Sequence, residues 1–188
     1  PYGPGFDTAA RARMIAASAL IDPILAKYLP VQRAVEIGPL FNPHITLRNN
    51  PGERIYIEKD SHAARWLRQY GTSIRFDLAS LPDHAALDTT IPEHSIDLVV
   101  VSHVLNYVDY TRCIDYCAHI LRPGGYLIIS NITNHGAPEH FSKKRPKRMS
   151  DIIGYARQKH DIVEKHIVPS EEPRHQKNKT LIVVAQKR

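Results

Sequence analysis

The chain lacks long apolar runs, a secretory start and more than a few cysteines. No stretch approaches the roughly 18 consecutive apolar residues that a membrane-spanning helix requires, so we expect no membrane partner. The first residues do not place a basic segment before an apolar one, so no signal peptide is predicted. Two cysteines among 188 residues are too few for a disulfide scaffold. Together these absences predict a soluble, cytoplasmic protein.

The cysteines and histidines show no metal-binding pattern. Cys113 and Cys117 occupy one face of a helical pattern, which predicts two small buried side chains. The 11 histidines include no pair at the i, i+4 spacing that is typical of zinc ligands. We therefore predict no metal ion.

Length and composition predict one domain covering residues 1–188. With 188 residues, of which 43% are hydrophobic, the chain can fill one core but is short for two. Residues 31–188 are assigned to the core. Residues 1–30 form a predicted N-terminal helical cap, because Phe6–Leu29 is rich in Ala and Leu, with Asp22-Pro23 able to end one helix and begin the next. The aromatic, Gly/Pro-rich segment 1–6 suggests a lid, with a frayed chain end as the alternative.

Short apolar segments alternate with helical patterns along the rest of the chain. This alternation predicts an α/β fold with a parallel sheet, and the apolar run Leu98–Val101 predicts a strand covered on both faces. The last two strand-like runs are separated by polar residues, which predicts an antiparallel hairpin. The predicted strands are Val31–Ile37, Ile55–Glu58, Ser73–Phe76, Ile96–Ser102, Tyr126–Ser130, Ile162–Val168 and Thr180–Ala185. The predicted helices are Ser61–Tyr70, Asp109–Leu121 and Asp151–Lys159, whereas Ser80–His94 shows no clear helical stripe.

The first two of these strands carry a cofactor-binding pattern. The first ends in Glu36-Ile37-Gly38 and a loop, and Glu58 closes the second strand 20 residues after Gly38. A glycine at the turn lets a ligand approach the backbone, and an acidic residue at the next strand tip binds the hydroxyls of a ribose. The pattern is typical of a Rossmann-like sheet that binds a ribose-bearing cofactor, and it indicates an enzyme.

Five segments, in this order, resemble the motifs of the class I S-adenosylmethionine-dependent methyltransferases over nearly the whole chain. The segments are Val35–Gly38 for the acidic and glycine motif, Glu58 for the ribose, Phe76–Pro82 for the adenine, Ser95–Leu105 for the fourth motif and Ile120–Ile129 for the entry to the fifth strand. An NAD-dependent dehydrogenase shares the first two segments but has no reason for the other three.

The resemblance implies a fold, a cofactor and a set of binding residues. The fold is a three-layer, Rossmann-like one, with a seven-stranded, mostly parallel sheet of order 3-2-1-4-5-7-6 and an antiparallel last strand. The cofactor is S-adenosylmethionine, which becomes S-adenosylhomocysteine. The residues that the resemblance assigns to the cofactor are Glu36, Gly38, Pro39, Asn42, Glu58, Asp77, Leu78 and Ser102.

The loop after the first strand departs from the family pattern. Where the family has two further glycines, this chain has Gly38–Pro43, whose two prolines lack the backbone N–H that would otherwise meet the cofactor carboxylate. Leu40–Asn42 still offers amides. We expect Asn42 either to adopt the left-handed backbone or to supply side-chain donors to the cofactor, and Asn42-Pro43 to cap and begin a helix, so that cofactor binding is retained. The alternative is a fold that has lost its cofactor.

His103 and His135 are the candidate general bases. Methyl transfer from a sulfonium mainly requires that the nucleophile lie about 3 Å from the methyl group with water excluded. A base helps where the nucleophile must lose a proton. The two histidines follow the fourth and fifth strands, at the edge where such folds bind ligands. The alternatives are a place in the pocket wall for His103 and a solvated loop for His135.

The segments after the fourth and fifth strands bear on the substrate. The Asn-Pro-Pro-Tyr signature of amino-methylating enzymes is absent at Ser102–Leu105, which argues against the amino groups of adenine or glutamine as targets. The basic run Ser142–Arg148, in a chain of net charge +6, suits a phosphate- or carboxylate-bearing small molecule as well as RNA. We predict a methyltransferase that acts on oxygen or nitrogen of a small metabolite. The first alternative is an RNA methyltransferase that uses the basic run, and the second is a non-catalytic subunit of this fold that binds a partner protein.

Overall fold

Helices alternate with strands through most of the chain. The computed structural model describes residues 19–80, 85–132, 141–169 and 179–188. The strands are β1 Arg33–Ile37, β2 Glu53–Glu58, β3 Thr72–Arg75, β4 Ile96–Ser102, β5 Leu121–Ile132, β6 His160–Pro169 and β7 Lys179–Lys187. The helices are α1 over residues 19–25, α2 Ser61–Leu67, α3 Ala85–Asp88, α4 Tyr110–Ile120 and α5 Met149–Ala156, with a 3-10 turn at Leu78–Ser80. None of the described helices combines the length and apolar character that crossing a bilayer requires.

The seven strands form one sheet of order β3-β2-β1-β4-β5-β7-β6. Strand β1 pairs in parallel with β2 and β4, and β3 and β5 extend the parallel pairing on either side. Strand β7 runs antiparallel to both of its neighbours, β5 and β6. The predicted strand order, the antiparallel last strand and the pairing of the last two strands are therefore confirmed.

Strand β1 is the point at which the sheet topology reverses. The chain passes from β1 to β2 on one side and reaches β4 on the other, so Ile37 at the end of β1 lies beside both Ile57 and Val101. Ligands of open α/β sheets bind at the carboxyl ends of the strands where the strand order reverses. We therefore expect the residues that follow Ile37 to form part of a ligand-binding site.

Apolar side chains cover both faces of the sheet. Val99 of β4 belongs to a core cluster that includes Cys113 and Cys117 of α4. Val100, which points to the opposite face, belongs to a second cluster that includes Ile21 of α1. The sheet therefore lies between helical layers, as the three-layer fold requires. The predicted burial of the two cysteines is confirmed.

Several element boundaries differ from the prediction. Helix α1 continues through Asp22-Pro23, so the predicted break at this dipeptide is wrong. Asp60 rather than Ser61 caps α2, because its carboxylate accepts hydrogen bonds from the backbone N–H groups of the first turn. Helix α5 begins at Met149, two residues before the predicted start. Strand β5 begins at Leu121, well before the predicted start, with a shift in its register against β4.

Candidate cofactor and substrate site

Small and polar residues meet where four neighbouring strands end. Glu58 closes β2, Gly38 follows β1, His103 follows β4 and Ser130 lies near the end of β5. Backbone hydrogen bonds continue past the strand ends, since the Gly38 N–H donates to the Ile57 carbonyl at 2.9 Å and the His103 N–H donates to the Ser130 carbonyl at 2.8 Å. The sheet itself thus fixes the relative positions of these four ends.

The Glu58 side chain turns toward the loop after β1. It is 5% exposed, and its carboxylate accepts hydrogen bonds from the backbone N–H of Leu40 at 3.0 Å and of Asp60 at 2.9 Å. Burial raises the pKa of Glu58, while the surrounding backbone N–H groups of Asp60, Leu40 and Lys59 oppose that rise. A carboxylate has about four acceptor positions, so these bonds leave capacity for a further donor.

The loop after β1 is held by bonds within the protein. The Leu40 N–H donates to Glu58, and the Asn42 N–H donates to the Pro39 carbonyl at 2.9 Å. Leu40 and Gly38 adopt the left-handed backbone conformation, with φ angles of +50° and +68°. The prediction of a left-handed Asn42 is therefore wrong. The physical reason is the bond to Glu58, which requires the chain to turn at Leu40.

Gly38 is also required for steric reasons. A Cβ atom at this position would lie 2.2 Å from Cγ2 of Val104, which follows β4. Carbon atoms cannot approach so closely, so the close passage of the β1 loop beside the β4 loop depends on the missing side chain. Pro39, the next residue, is buried.

Glu36 holds the chain after β1 in place through hydrogen bonds to its backbone. Its side chain is fully buried, and its carboxylate accepts hydrogen bonds from the backbone N–H groups of His44 and Ile45, each at 3.0 Å. Burial raises its pKa despite the nearby His44. The described chain after Pro43 forms bends and turns instead of a helix, so the predicted helix start at Asn42-Pro43 is wrong. The amides that a helix would have used are instead bound by Glu36.

His44 links helix α1 to the end of β4. Its Nδ1 lies 3.0 Å from Oδ1 of Asp22, and its Nε2 lies 3.4 Å from Oγ of Ser102. Burial lowers the pKa of His44, but the carboxylates of Asp22 and Glu36 outweigh that effect and raise it overall. Sequence reasoning considered Asp22 only at a helix boundary and assigned no role to His44, and no local pattern connects the two residues.

His103 has a strained backbone, and its ring nitrogens form no hydrogen bond with the described residues. Its φ of +58° lies in the left-handed region, which costs energy for a residue with a side chain. Among the described residues, neither ring nitrogen has a hydrogen-bond partner, although both are buried. Burial, and secondarily the charge of His44, lower the pKa of His103 to about 4. The imidazole is therefore neutral at physiological pH, with one protonated and one unprotonated nitrogen.

Of the remaining predicted site residues, Asp77 is engaged in an ion pair, Leu78 is buried, and His135 is not described by the structure. Asp77, after β3, forms an ion pair with Lys59 at 2.7 Å. Burial raises its pKa, but the Lys59 bond and the Ala79 N–H lower it overall. Leu78 packs in the core and is 8% exposed. His135 and the segment 1–6 lie outside the described residues, so their predicted roles stay predictions.

The comparisons with known proteins agree with this geometry. Residues 50–129 match the family model of a methyltransferase domain. The match extends from just before β2 into β5 and covers less than half of the chain. The resemblance to the class I S-adenosylmethionine-dependent methyltransferases is thereby confirmed. No curated protein sequence matches the chain significantly.

Solved structures similar to this chain share its fold at low sequence identity. The N-methyltransferase NodS from Bradyrhizobium japonicum WM9, in complex with S-adenosylhomocysteine, is 15% identical with a TM-score of 0.66, covering 100% of this chain and 91% of that chain. A putative methyltransferase in complex with the Trm112 methyltransferase activator of Haloferax volcanii is 16% identical with a TM-score of 0.68, covering 95% of each chain. The [4+2]-cyclase SpnF is 15% identical with a TM-score of 0.67, covering 89% of this chain and 80% of that chain.

The residues at these strand ends fit S-adenosylmethionine, the cofactor that the family match supports. Glu58 faces the loop after β1 and retains acceptor capacity for ribose hydroxyls. At Gly38, Cγ2 of Val104 occupies the space that a Cβ would need, so the missing side chain serves the packing of the two loops. The Leu40 and Asn42 amides, in contrast, already donate to protein acceptors.

Proposed function

We propose that the protein is a methyltransferase that acts on oxygen or nitrogen of a small metabolite and uses S-adenosylmethionine as the methyl donor. The observation that carries the proposal is the position of Glu58, a buried carboxylate at the end of β2 that faces the loop after β1. In this geometry an acidic group and a glycine turn face one another across the point where the sheet topology reverses.

The cofactor-binding residues proposed from the sequence divide into three groups. Glu58 binds the ribose hydroxyls, the loop with Gly38, Pro39 and Asn42 lies against the amino-acid tail, and Ser102 forms part of the pocket wall. Asp77 and Leu78 lie on the adenine side, after β3. Glu36 acts indirectly, because its carboxylate is committed to the backbone of the loop.

His103 is the proposed general base. When bound, S-adenosylmethionine supplies an activated methyl group, so the protein must mainly place the acceptor and exclude water. The neutral ring of His103 has two buried nitrogen atoms without a partner among the described residues, and the one that carries no proton can receive the proton of an O–H or N–H acceptor. His135 is proposed as a second candidate from its place after β5 in the sequence.

The basic run favours a small anionic molecule over RNA. Lys144 pairs with Asp109 at 3.0 Å, and the guanidinium of Arg145 lies over the Phe141 ring, 5.1 Å from its centre. Two of its five cations are therefore engaged within the protein, which weakens the case for a continuous phosphate-binding track. RNA methylation remains the first alternative, and a non-catalytic subunit is the second. The cyclase among the similar structures illustrates that this fold hosts other reactions.

Two experiments test the proposal. Calorimetric titration with S-adenosylhomocysteine should give saturable heat, and no heat at millimolar ligand would end the enzyme interpretation. Methyl transfer from a radioactive donor to a panel of metabolites should then identify an acceptor.

Filter binding of RNA at two salt concentrations separates the first alternative. Binding that disappears near physiological salt supports the small-molecule proposal, whereas salt-resistant, saturable binding favours RNA. Cofactor binding without any transfer across the panel favours the non-catalytic subunit.

A further inference from the structure

Three side chains connect the protein surface with the end of β4. The side chain of Asp22 in α1 is 59% exposed, whereas that of His44 is 4% exposed. Ser102, the last residue of β4, is 7% exposed. Oδ1 of Asp22 lies 3.0 Å from Nδ1 of His44, and Nε2 of the same ring lies 3.4 Å from Oγ of Ser102. The His44 ring therefore joins an exposed carboxylate to a hydroxyl at the candidate cofactor and substrate site.

The carboxylate determines which nitrogen of the His44 ring carries the proton. An ionised carboxylate only accepts hydrogen bonds, so Nδ1 carries the proton that Asp22 accepts. Nε2 of the neutral ring is then an acceptor, and the Ser102 hydroxyl donates to it. The separation of 3.4 Å is long, but catalytic hydrogen bonds are often long before the ligands bind and shorten in the complex. In this state the lone pairs of Ser102 Oγ are available to accept from a ligand.

The backbone around the His44 ring is held in place on both sides. The Glu36 carboxylate accepts the His44 backbone N–H, with both oxygens at 3.0 Å. Ser102 lies in the sheet beside Ser130 of β5. Ile21, the neighbour of Asp22 in α1, packs in a core cluster against the sheet. The three side chains thus come from fixed elements, which proton transfer between positioned groups requires.

The charges around His44 favour proton uptake by its ring. Burial lowers the pKa of His44, but Asp22 and Glu36 outweigh that effect and raise it overall. Burial, and secondarily the charge of His44, lower the pKa of the neighbouring His103 to about 4. His44 is therefore the stronger base of the two imidazoles, and at neutral pH it retains a proton that His103 would release.

We propose that Asp22, His44 and Ser102 form a proton relay, in which the Ser102 hydroxyl takes the proton of the methyl acceptor and His44 stores it. The inference rests on the proposed function and deepens it for the same site. Ser102 contacts the acceptor, whereas His44 and Asp22 act through Ser102 as positioning residues.

The proton moves in two linked transfers. As the O–H or N–H bond of the acceptor breaks, Oγ of Ser102 binds that proton and gives its own to Nε2 of His44. The electron pair left on the acceptor forms the bond to the methyl group, and the pair of the broken sulfur–methyl bond stays on the sulfur. His44 becomes a cation beside the Asp22 carboxylate, and it returns the proton to solvent after the transfer.

The relay and His103 as the only base differ in their pH dependence. With His103 alone, methyl transfer is lost only as the pH falls toward 4, where that ring becomes protonated. With the relay, transfer is lost as the pH falls through the raised pKa of His44, because a protonated Nε2 donates to Ser102 and cannot accept from it.

Nuclear magnetic resonance of the histidine rings tests the relay without a substrate. In a pH titration of the full chain, labelled with ¹⁵N, neutral His44 should carry its proton on Nδ1. Ser102→Ala should shift the Nε2 signal more than the Nδ1 signal. Asp22→Asn should lower the titration midpoint of His44, because the carboxylate favours the charged ring. Asp88→Asn is the matched control, since Asp88 lies 4.0 Å from the ring of His119, and it should leave the His44 midpoint unchanged.

Rate measurements test whether the relay is used. With S-adenosylmethionine and an acceptor found in the metabolite panel, kcat/KM should fall as the pH falls through the His44 midpoint. Asp22→Asn should move this fall to lower pH, by the same amount as it moves the midpoint. Ser102→Ala should slow transfer about 10²-fold, and Ser102→Thr, which keeps a hydroxyl, should restore most of the rate.

A proton on Nε2 of neutral His44 would overturn the inference. So would a His44 midpoint that Asp22→Asn leaves unchanged, or a transfer rate whose pH dependence does not follow that midpoint. Calorimetry with S-adenosylhomocysteine separates this failure from that of the proposed function, because binding and transfer without the pH dependence exclude the relay alone. If Ser102→Ala fails to fold, the exposed variant Asp22→Asn decides by itself.

Discussion

Replacing Glu58 by Gln should weaken cofactor binding without unfolding the protein. The change keeps the shape of the side chain but removes the charge that faces the loop after β1. A charged acceptor holding hydroxyl groups contributes about 1–3 kcal/mol, so S-adenosylhomocysteine should bind roughly 5- to 150-fold more weakly. Isothermal titration calorimetry measures this change directly.

The stability of the same variant should change little. Gln can accept only one of the two N–H groups that Glu58 now binds, from Leu40 and Asp60, which costs about 1 kcal/mol. Burial raises the pKa of Glu58, so the folded state disfavours its charge, and stability from this group falls as pH rises. Gln removes that penalty and offsets part of the loss. The melting temperature should therefore shift by only a few degrees, about 2–4 °C or less.

Glu53→Gln is the matched control. Glu53 begins the strand that Glu58 ends, about 16 Å away along β2, and pairs with Arg33 on an exposed surface. It removes the same charge, so a general electrostatic effect would appear in both variants. The reasoning is refuted if Glu58→Gln binds S-adenosylhomocysteine as tightly as the unmodified protein, or if Glu53→Gln loses as much affinity.

Three further changes test other parts of the site. His103→Gln should leave S-adenosylhomocysteine binding unchanged and slow methyl transfer to an identified acceptor by about 10²- to 10⁴-fold, and an unchanged rate would exclude the base role. The raised pKa of His44 predicts stability that is complete below its ordinary value of 6.5 and is lost as pH rises through the folded pKa. The unfolding free energy of His44→Gln should therefore depend less on pH above 6.5 than that of the unmodified protein. Gly38→Ala should lower the unfolding free energy by about 1–3 kcal/mol. The control is Gly154→Ala in α5, where an added Cβ meets nothing within 4 Å, and it should be neutral or slightly stabilising. Equal effects of the two changes on the unfolding free energy would contradict the steric argument.

The strands were predictable where burial alone determines them. The run Ile96–Ser102 gave β4 with the observed limits, because apolar residues needed on both faces leave a continuous signal in the sequence. Boundaries near turns were less predictable. Leu121 belongs to β5 through its pairing with Ile96, next to a shift in the strand register. No residue pattern in the sequence predicts this irregular pairing.

The loop after β1 was mispredicted because long-range bonds decide its shape. Asn42 has the better intrinsic tendency to adopt a left-handed backbone, but Leu40 takes it because its N–H binds Glu58. The contact between His44 and Ser102 joins residues 58 positions apart, and the contact between His44 and Asp22 joins residues 22 apart. Only the folded topology brings such residues together, so no sequence window could contain the signal.

The contact between the loop after β1 and the loop after β4 couples evolutionary change at two positions. A methyl group at position 38 would lie 2.2 Å from Cγ2 of Val104 but 3.7 Å from its Cβ, which is an ordinary contact distance. Shortening Val104 to Ala therefore removes the collision, although the backbone preference at Gly38 persists. A side chain at position 38 is therefore better tolerated when position 104 is shortened, so the two sites are epistatic, and a suppressor screen starting from Gly38→Ala should recover changes at Val104.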